Sequence, residues 1–167
     1  DCTHAEYLAQ PERLVELWAE ILRRLHDLPI EGCPAPDYLG KYLALAEENY
    51  RTGNYDKSQF PDSFGYTCAE EAWGVLSEGK HLLKADTLIH GDYCLPNVLL
   101  DGWRFSGFID LGNSGVADRH IDLFWGRWTL SFNLKTDNLG ERFFDAYGRD
   151  RIEEEALLTV AAAEVFG

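Results

Sequence analysis

The sequence predicts an α+β protein, mainly helical, with one small β-hairpin near its middle. Three observations predict it. Apolar residues recur at helical spacing through the first half of the chain. Two short apolar runs then flank Asp101-Gly102, a strong hairpin turn signal. From Asp118 onward the helical pattern returns.

Pro11 opens the first helix, where its missing N–H costs nothing. Leu14, Leu17, Trp18, Ile21, Leu25 and Leu28 make one apolar face, and Pro29 stops the helix. EGCPAPD reads as a loop, and a second helix is expected over residues 36–50. The stretch RTGNYDKSQFPDSFG is polar, aromatic and glycine-bearing, hence a loop. Thr67 and Glu70 form a T-x-x-E capping box that starts a third helix through Leu76. Residues 87–90 read as a strand, and 98–100 with 104–109 as the hairpin. Ile121, Leu123, Phe124, Trp128 and Leu130 mark a further helix, and residues 140–147 and 151–166 two more.

The 167 residues suffice for one domain with a real core, and 46% hydrophobic content excludes a disordered chain. No apolar run reaches the roughly 18 residues of a membrane span. The chain begins at Asp1 and has no methionine, so it is read as a piece of a larger protein. No basic-then-apolar leader is visible, and a cytoplasmic location is expected. A net charge of −14 argues against nucleic acid and anionic membranes and favours cationic partners. Cys2, Cys33, Cys68 and Cys94 are widely spread without a CxxC pair, so reduced thiols are expected rather than zinc or disulfides. Cys94 reads as packing.

The stretch LIHGDYCLPNVLLDGWRFSGFIDLG, residues 88–112, carries the chemistry. Asp92, acceptor-only when ionised, could take a proton from a nucleophile. Asn97 offers a neutral, hard carbonyl oxygen suited to magnesium. The hairpin brings Asp110 back beside Asn97. Base, metal ligand and metal ligand are the equipment of phosphoryl transfer. Each piece alone is a turn former; the order H-G-D-x-x-x-x-N, hairpin, I-D-x-G is specific.

These residues resemble the aminoglycoside phosphotransferase family, in its kanamycin-kinase (3′-phosphotransferase) branch. HGDYCLPN at 90–97, RFSGFIDLG at 104–112, GVADRHIDL at 115–123, ERFFDAYG at 141–148 and LVELWAEILRRLHDLPIEGCP near the start carry the resemblance. It implies a protein-kinase-like fold, with HGDxxxxN in place of HRDxxxxN and IDLG in place of DFG. It implies ATP and Mg2+ as cofactors, Asp92 as catalytic base, and Asn97 and Asp110 as magnesium ligands. Ile109 resembles the apolar floor of the adenine pocket. Asp122 resembles the buried helix acid that braces the catalytic loop, and His90 holds that loop by hydrogen bonding. His4, His26, His81 and His120 are expected as surface or capping residues.

A glycine-rich loop, a strand lysine and its glutamate partner are not found in the chain. Residues 1–167 therefore resemble the C-terminal, substrate and magnesium lobe, with the N-terminal ATP-covering lobe missing, and the isolated chain is expected to have little kinase activity. The implied substrate is an aminoglycoside, the implied role antibiotic resistance. Glu164 and Phe166 match part of the branch's substrate-binding C-terminus; Ala163 and Gly167 depart from it. Asn113 stands where the branch has arginine, and Phe132 and Asn133 where it has acids. The loop near Phe60, with Asp56 and Asp62, reaches toward the substrate. Alternatives are a kinase of another amino sugar or alcohol metabolite, a non-catalytic kinase-like binding domain, or a metal-dependent hydrolase using His90, Asp92 and Asp110.

Overall fold

The computed structural model describes residues 1–60, 65–136 and 138–167. Seven helices surround two small antiparallel sheets among these residues: α1 (Ala5–Leu8), α2 (Pro11–His26), α3 (Tyr38–Thr52), α4 (Ala69–Gly79), β1 (Thr87–Ile89), β2 (Val98–Asp101), β3 (Arg104–Phe108), β4 (Gly115–Ala117), α5 (His120–Leu134), α6 (Leu139–Tyr147) and α7 (Glu154–Glu164). No helix among the described residues is long and apolar enough to cross a membrane.

The main core lies where α2, α5 and α6 meet. Leu14, Trp18 and Leu22 of α2 are fully buried against Tyr93, Leu95, Leu123, Phe143 and Tyr147. Burial of a side chain the size of Trp18 is worth about 3–5 kcal/mol on truncation to alanine. A second cluster joins α3, α4 and α7 around Phe166, and a third packs Leu39, Ile89, Ala117, Ile121 and Val160 beneath the β1–β4 pair.

Several boundaries differ from the sequence reading, each for a local reason. α2 ends at His26, and Leu28 lies beyond it, half exposed. Pro29 disfavours helical backbone at the residue before it, so Leu28 leaves the apolar face. The capping box of α4 is not made by Thr67 and Glu70. Cys68 takes the N-cap position, which shifts the frame by one residue, and the Thr67 N–H donates to Glu71 Oε2 at 2.7 Å instead. The hairpin turns at Gly102-Trp103 rather than Asp101-Gly102, because Asp101 pairs with Arg104. Both turn residues have positive φ, 52° and 65°, the conformation a two-residue hairpin with right-handed twist requires. Trp103 holds it because its ring is wedged edge-on against Tyr7 at 5.0 Å with the Arg13 guanidinium 4.1 Å above. Residues 151–153 precede α7 rather than opening it.

The sequence reading missed β4. Its partner is β1, with Ile89 opposite Gly115. That pairing fixes where the chain emerges at His90.

Candidate active site

Three elements converge on the loop after β1. α5 starts at His120, which places Asp122 in its first turn, fully buried. The Asp122 carboxylate accepts from the His90 N–H at 2.7 Å, the Gly91 N–H at 2.7 Å and His26 Nε2 at 3.1 Å. Three donors and a nearby helix N-terminus satisfy the hydrogen-bonding capacity of this buried carboxylate. Its geometry ties the loop's backbone to α5 and α2 at once. Gly91 has φ 83°, and a Cβ there would lie 1.9 Å from the Asn113 carbonyl oxygen. Only glycine lets residues 111–113 close over the loop.

His90 is fully buried and uses both ring nitrogens. Nε2 donates to the Ile109 carbonyl at 3.0 Å, and Nδ1 accepts from the Asp92 N–H at 3.3 Å. With both nitrogens engaged, the ring has none left for a metal, which removes the hydrolase alternative that needed it. The side chain of Tyr93 points the other way and anchors the loop from below. Its hydroxyl donates to the Trp18 carbonyl at 2.7 Å, and the two rings lie 4.0 Å apart. Leu95 N–H donates to Thr129 Oγ1 at 3.1 Å.

Asp92 and Asn97 meet directly. The Asn97 amide nitrogen donates to the Asp92 carbonyl at 3.0 Å and to Asp92 Oδ2 at 2.8 Å. This leaves Asn97 Oδ1, a hard acceptor, without a donor among the described residues. The Ile109 N–H donates to the Asn97 carbonyl at 3.0 Å, so residues 109 and 110 lie alongside Asn97. Asp110 is exposed, with φ 58°. A left-handed non-glycine residue costs about 1 kcal/mol, least for Asp or Asn. An amide oxygen and a carboxylate, both uncommitted, form a donor set that fits magnesium. Ile109 is 45% exposed beside them. Burial raises the pKa of the Cys94 thiol, followed by its hydrogen bond to Asp92. It is a packing residue, as its sequence context implied.

Glu164 lies at the end of α7, its carboxylate turned inward. Tyr42 O–H donates to Oε1 at 2.7 Å. Burial pushes its pKa up to about 7; hydrogen bonds from Tyr42 and Trp125 oppose the rise, and the charge of Asp92 adds to it. Glu164 is thus within electrostatic reach of Asp92. Asn113 is exposed on the loop over Gly91.

Two expectations about the substrate side change. Phe166 is fully buried, its ring centroid 5.4 Å from those of both Tyr50 and Tyr55, and Asn49 donates to its carbonyl at 2.8 Å. It has no face left for a ligand, because three clustered aromatics reward burial more than exposure. Phe60 is half-buried, edge-on to Tyr55 at 6.2 Å. Asp56 accepts from the Ser58 N–H at 2.9 Å as a turn cap, and Asp62 lies outside the described residues.

His26 and His120 are not surface residues. His26 gives Nε2–H to Asp122 and accepts the Tyr147 hydroxyl at Nδ1, 2.8 Å away. His120 is buried between Asp118 Oδ1, at 2.6 Å, and the Glu153 N–H, at 2.9 Å. The signal for His26 was present: it follows Trp18 and Leu22 on the apolar stripe of α2 at i+8 and i+4. Tyr42 and Trp125, which meet Glu164 from α3 and α5, carried no such signal.

Comparison with known proteins adds to this geometry. Residues 1–158 match the family described as "Phosphotransferase enzyme family". A "Probable aminoglycoside 3'-phosphotransferase" of Lactococcus lactis is 51% identical over 162 residues, 97% of this chain and 62% of the relative. The crystal structure of an aminoglycoside-3'-phosphotransferase of type VIII superposes with TM-score 0.73 at 28% identity, covering 95% of this chain and 62% of that one. The aminoglycoside phosphotransferase APH(3'')-Id of Streptomyces rimosus, solved with ADP and streptomycin, superposes with TM-score 0.70 at 27% identity, covering 91% of this chain and 61% of that one. The chain therefore spans less than two thirds of the length of each.

Proposed function

The chain belongs to the phosphotransferase enzyme family, and from that premise we propose that the protein containing it transfers the γ-phosphoryl group of ATP to an aminoglycoside. The acceptor is the kanamycin-type 3′-hydroxyl, and the consequence is antibiotic resistance. The observation that carries the reading is the Asp92–Asn97 contact, held by a loop whose backbone is fastened to buried Asp122.

Asp92 orients the acceptor hydroxyl and takes its proton as the new P–O bond forms and the bond from the γ-phosphorus to the bridging oxygen breaks, releasing ADP. The Asn97 amide N–H holds the Asp92 carboxylate in place through Oδ2. Asn97 Oδ1 and the Asp110 carboxylate would hold Mg2+, which when bound would neutralise charge on the phosphate oxygens. Ile109 offers its exposed side chain to the adenine. Glu164 binds an ammonium group of the substrate. His90 and Asp122 keep the loop in place without touching substrate.

The test uses the full-length protein with ATP, Mg2+ and a panel of aminoglycosides, other amino sugars and choline-like alcohols. Phosphate on the 3′-hydroxyl of kanamycin is the expected product. Turnover only of non-aminoglycosides would redirect the reading to a metabolite kinase, which the exchanges at Asn113 and Phe132 favour as the second candidate. Asp92→Ala should lower the rate by several orders of magnitude, roughly the contribution of a positioned base together with its orienting contacts; an unchanged rate removes Asp92 from the chemistry.

A further inference from the structure

Given the function proposed above, one surface of α5 reads more specifically. Trp125, Trp128 and Phe132 stand at i, i+3 and i+7, on one face of the helix. Trp125 lies close enough to the Glu164 carboxylate to hold its pKa down against burial. Its ring meets Trp128 at 5.5 Å, near perpendicular, and Trp128 stacks on Phe132 at 5.0 Å with the planes 10° apart. Three rings thus run outward from the candidate site as one continuous row.

The outer two are exposed, Trp128 by 45% and Phe132 by 55%. Beside Trp128, between α5 and α7, lies a cavity of about 420 Å³, walled by Phe124, Arg127, Trp128, Leu157, Leu158 and Ala161. Ala161 is one turn before Glu164, and Trp128 one turn after Trp125, so the cavity lies about one helical turn along α5 and α7 from Trp125 and Glu164. Its size suits a sugar ring or two, within the ordinary range of small-molecule sites. The row already holds one ammonium: Lys135 Nζ lies 4.3 Å from the Phe132 ring centre. The other nearby cation, Arg127, also lines the cavity; its guanidinium lies over Phe144 at 5.4 Å and is paired with Glu141 at 3.9 Å. Glu154 adds a carboxylate at the cavity's far end.

We propose that Trp128 and Phe132 form an aromatic platform that binds a second, ammonium-bearing ring of the substrate, while Glu164 holds the ring nearer the reacting hydroxyl. The platform works by stacking and cation–π attraction instead of ion pairs. It selects substrates with a further cationic ring and depends less on salt than a pair of exposed charges would.

The test is steady-state kinetics of the full-length protein on a three-ring aminoglycoside such as kanamycin. Trp128→Ala is expected to raise KM for the drug about ten-fold, roughly 1.4 kcal/mol, with kcat and KM for ATP unchanged. Phe132→Ala should give a smaller rise, and Trp128→Phe should restore most of the loss. The Trp128→Ala penalty should persist between low and high salt. Both side chains are half exposed, so neither change threatens folding. An unchanged KM in Trp128→Ala, with the unaltered protein turning over aminoglycosides normally, would overturn the platform alone. No turnover of any aminoglycoside by the unaltered protein would overturn the proposed function and the platform with it.

Discussion

Burial moves the ionisation of Glu164 to about 7, and this has a direct functional reading. Below that pH the side chain is neutral and cannot pair with an ammonium; above it the carboxylate is charged. KM for a cationic substrate should therefore fall as pH rises through about 7, and Glu164→Gln should flatten the profile at the higher value. Steady-state kinetics from pH 6 to 8.5 check this; an inflection that survives in Glu164→Gln assigns it to another group. His26 acts on the site through Asp122. Replacing it by Phe keeps the bulk but removes one of three donors from a buried carboxylate and leaves the Tyr147 hydroxyl unmatched. The expected cost is about 2–4 kcal/mol in denaturant unfolding. That Asp92, Asn97 and Asp110 form a candidate site was legible from residue type and order. That His26 joins them was legible only from its place on the apolar stripe of α2.

At the scale of elements, helix type and order follow from periodicity, and the errors cluster at ends. Caps depend on single backbone angles: one residue of frame at Cys68 moved the reach-back from Glu70 to Glu71. The hairpin shows tertiary packing overriding turn chemistry, since Trp103 keeps a positive φ for the sake of its contact with Tyr7. Close packing of α5 on α6 offers a test. A Cβ at Gly126 would lie 2.7 Å from the fully buried Phe143 ring. Alanine gains about 1 kcal/mol of helix propensity, but overpacking a ring that cannot retreat costs about 1–3 kcal/mol. Gly126→Ala should therefore lower stability by about 1 kcal/mol net, measured by chemical denaturation; a more stable variant would show that the ring has room to move.

Across the whole chain, a net charge of −14 favours encounter with polycationic partners. Association with a polycationic substrate should slow and KM should rise as salt increases from about 0.05 to 0.5 M, because the screening length falls from over 10 Å to a few ångströms. A KM independent of salt would show that local contacts alone draw the substrate in. By itself the sequence determined the helical composition, the hairpin and the order of Asp92, Asn97 and Asp110, since each is written in short-range spacing and turn chemistry. Only the tertiary structure decided that β1 pairs with β4, that Asp122 gathers His90, Gly91 and His26, that Phe166 turns into the core, and that Trp125, Trp128 and Phe132 line up from Glu164. Those outcomes depend on contacts between residues far apart in the chain, won by competition for burial and hydrogen-bond partners that no local pattern records.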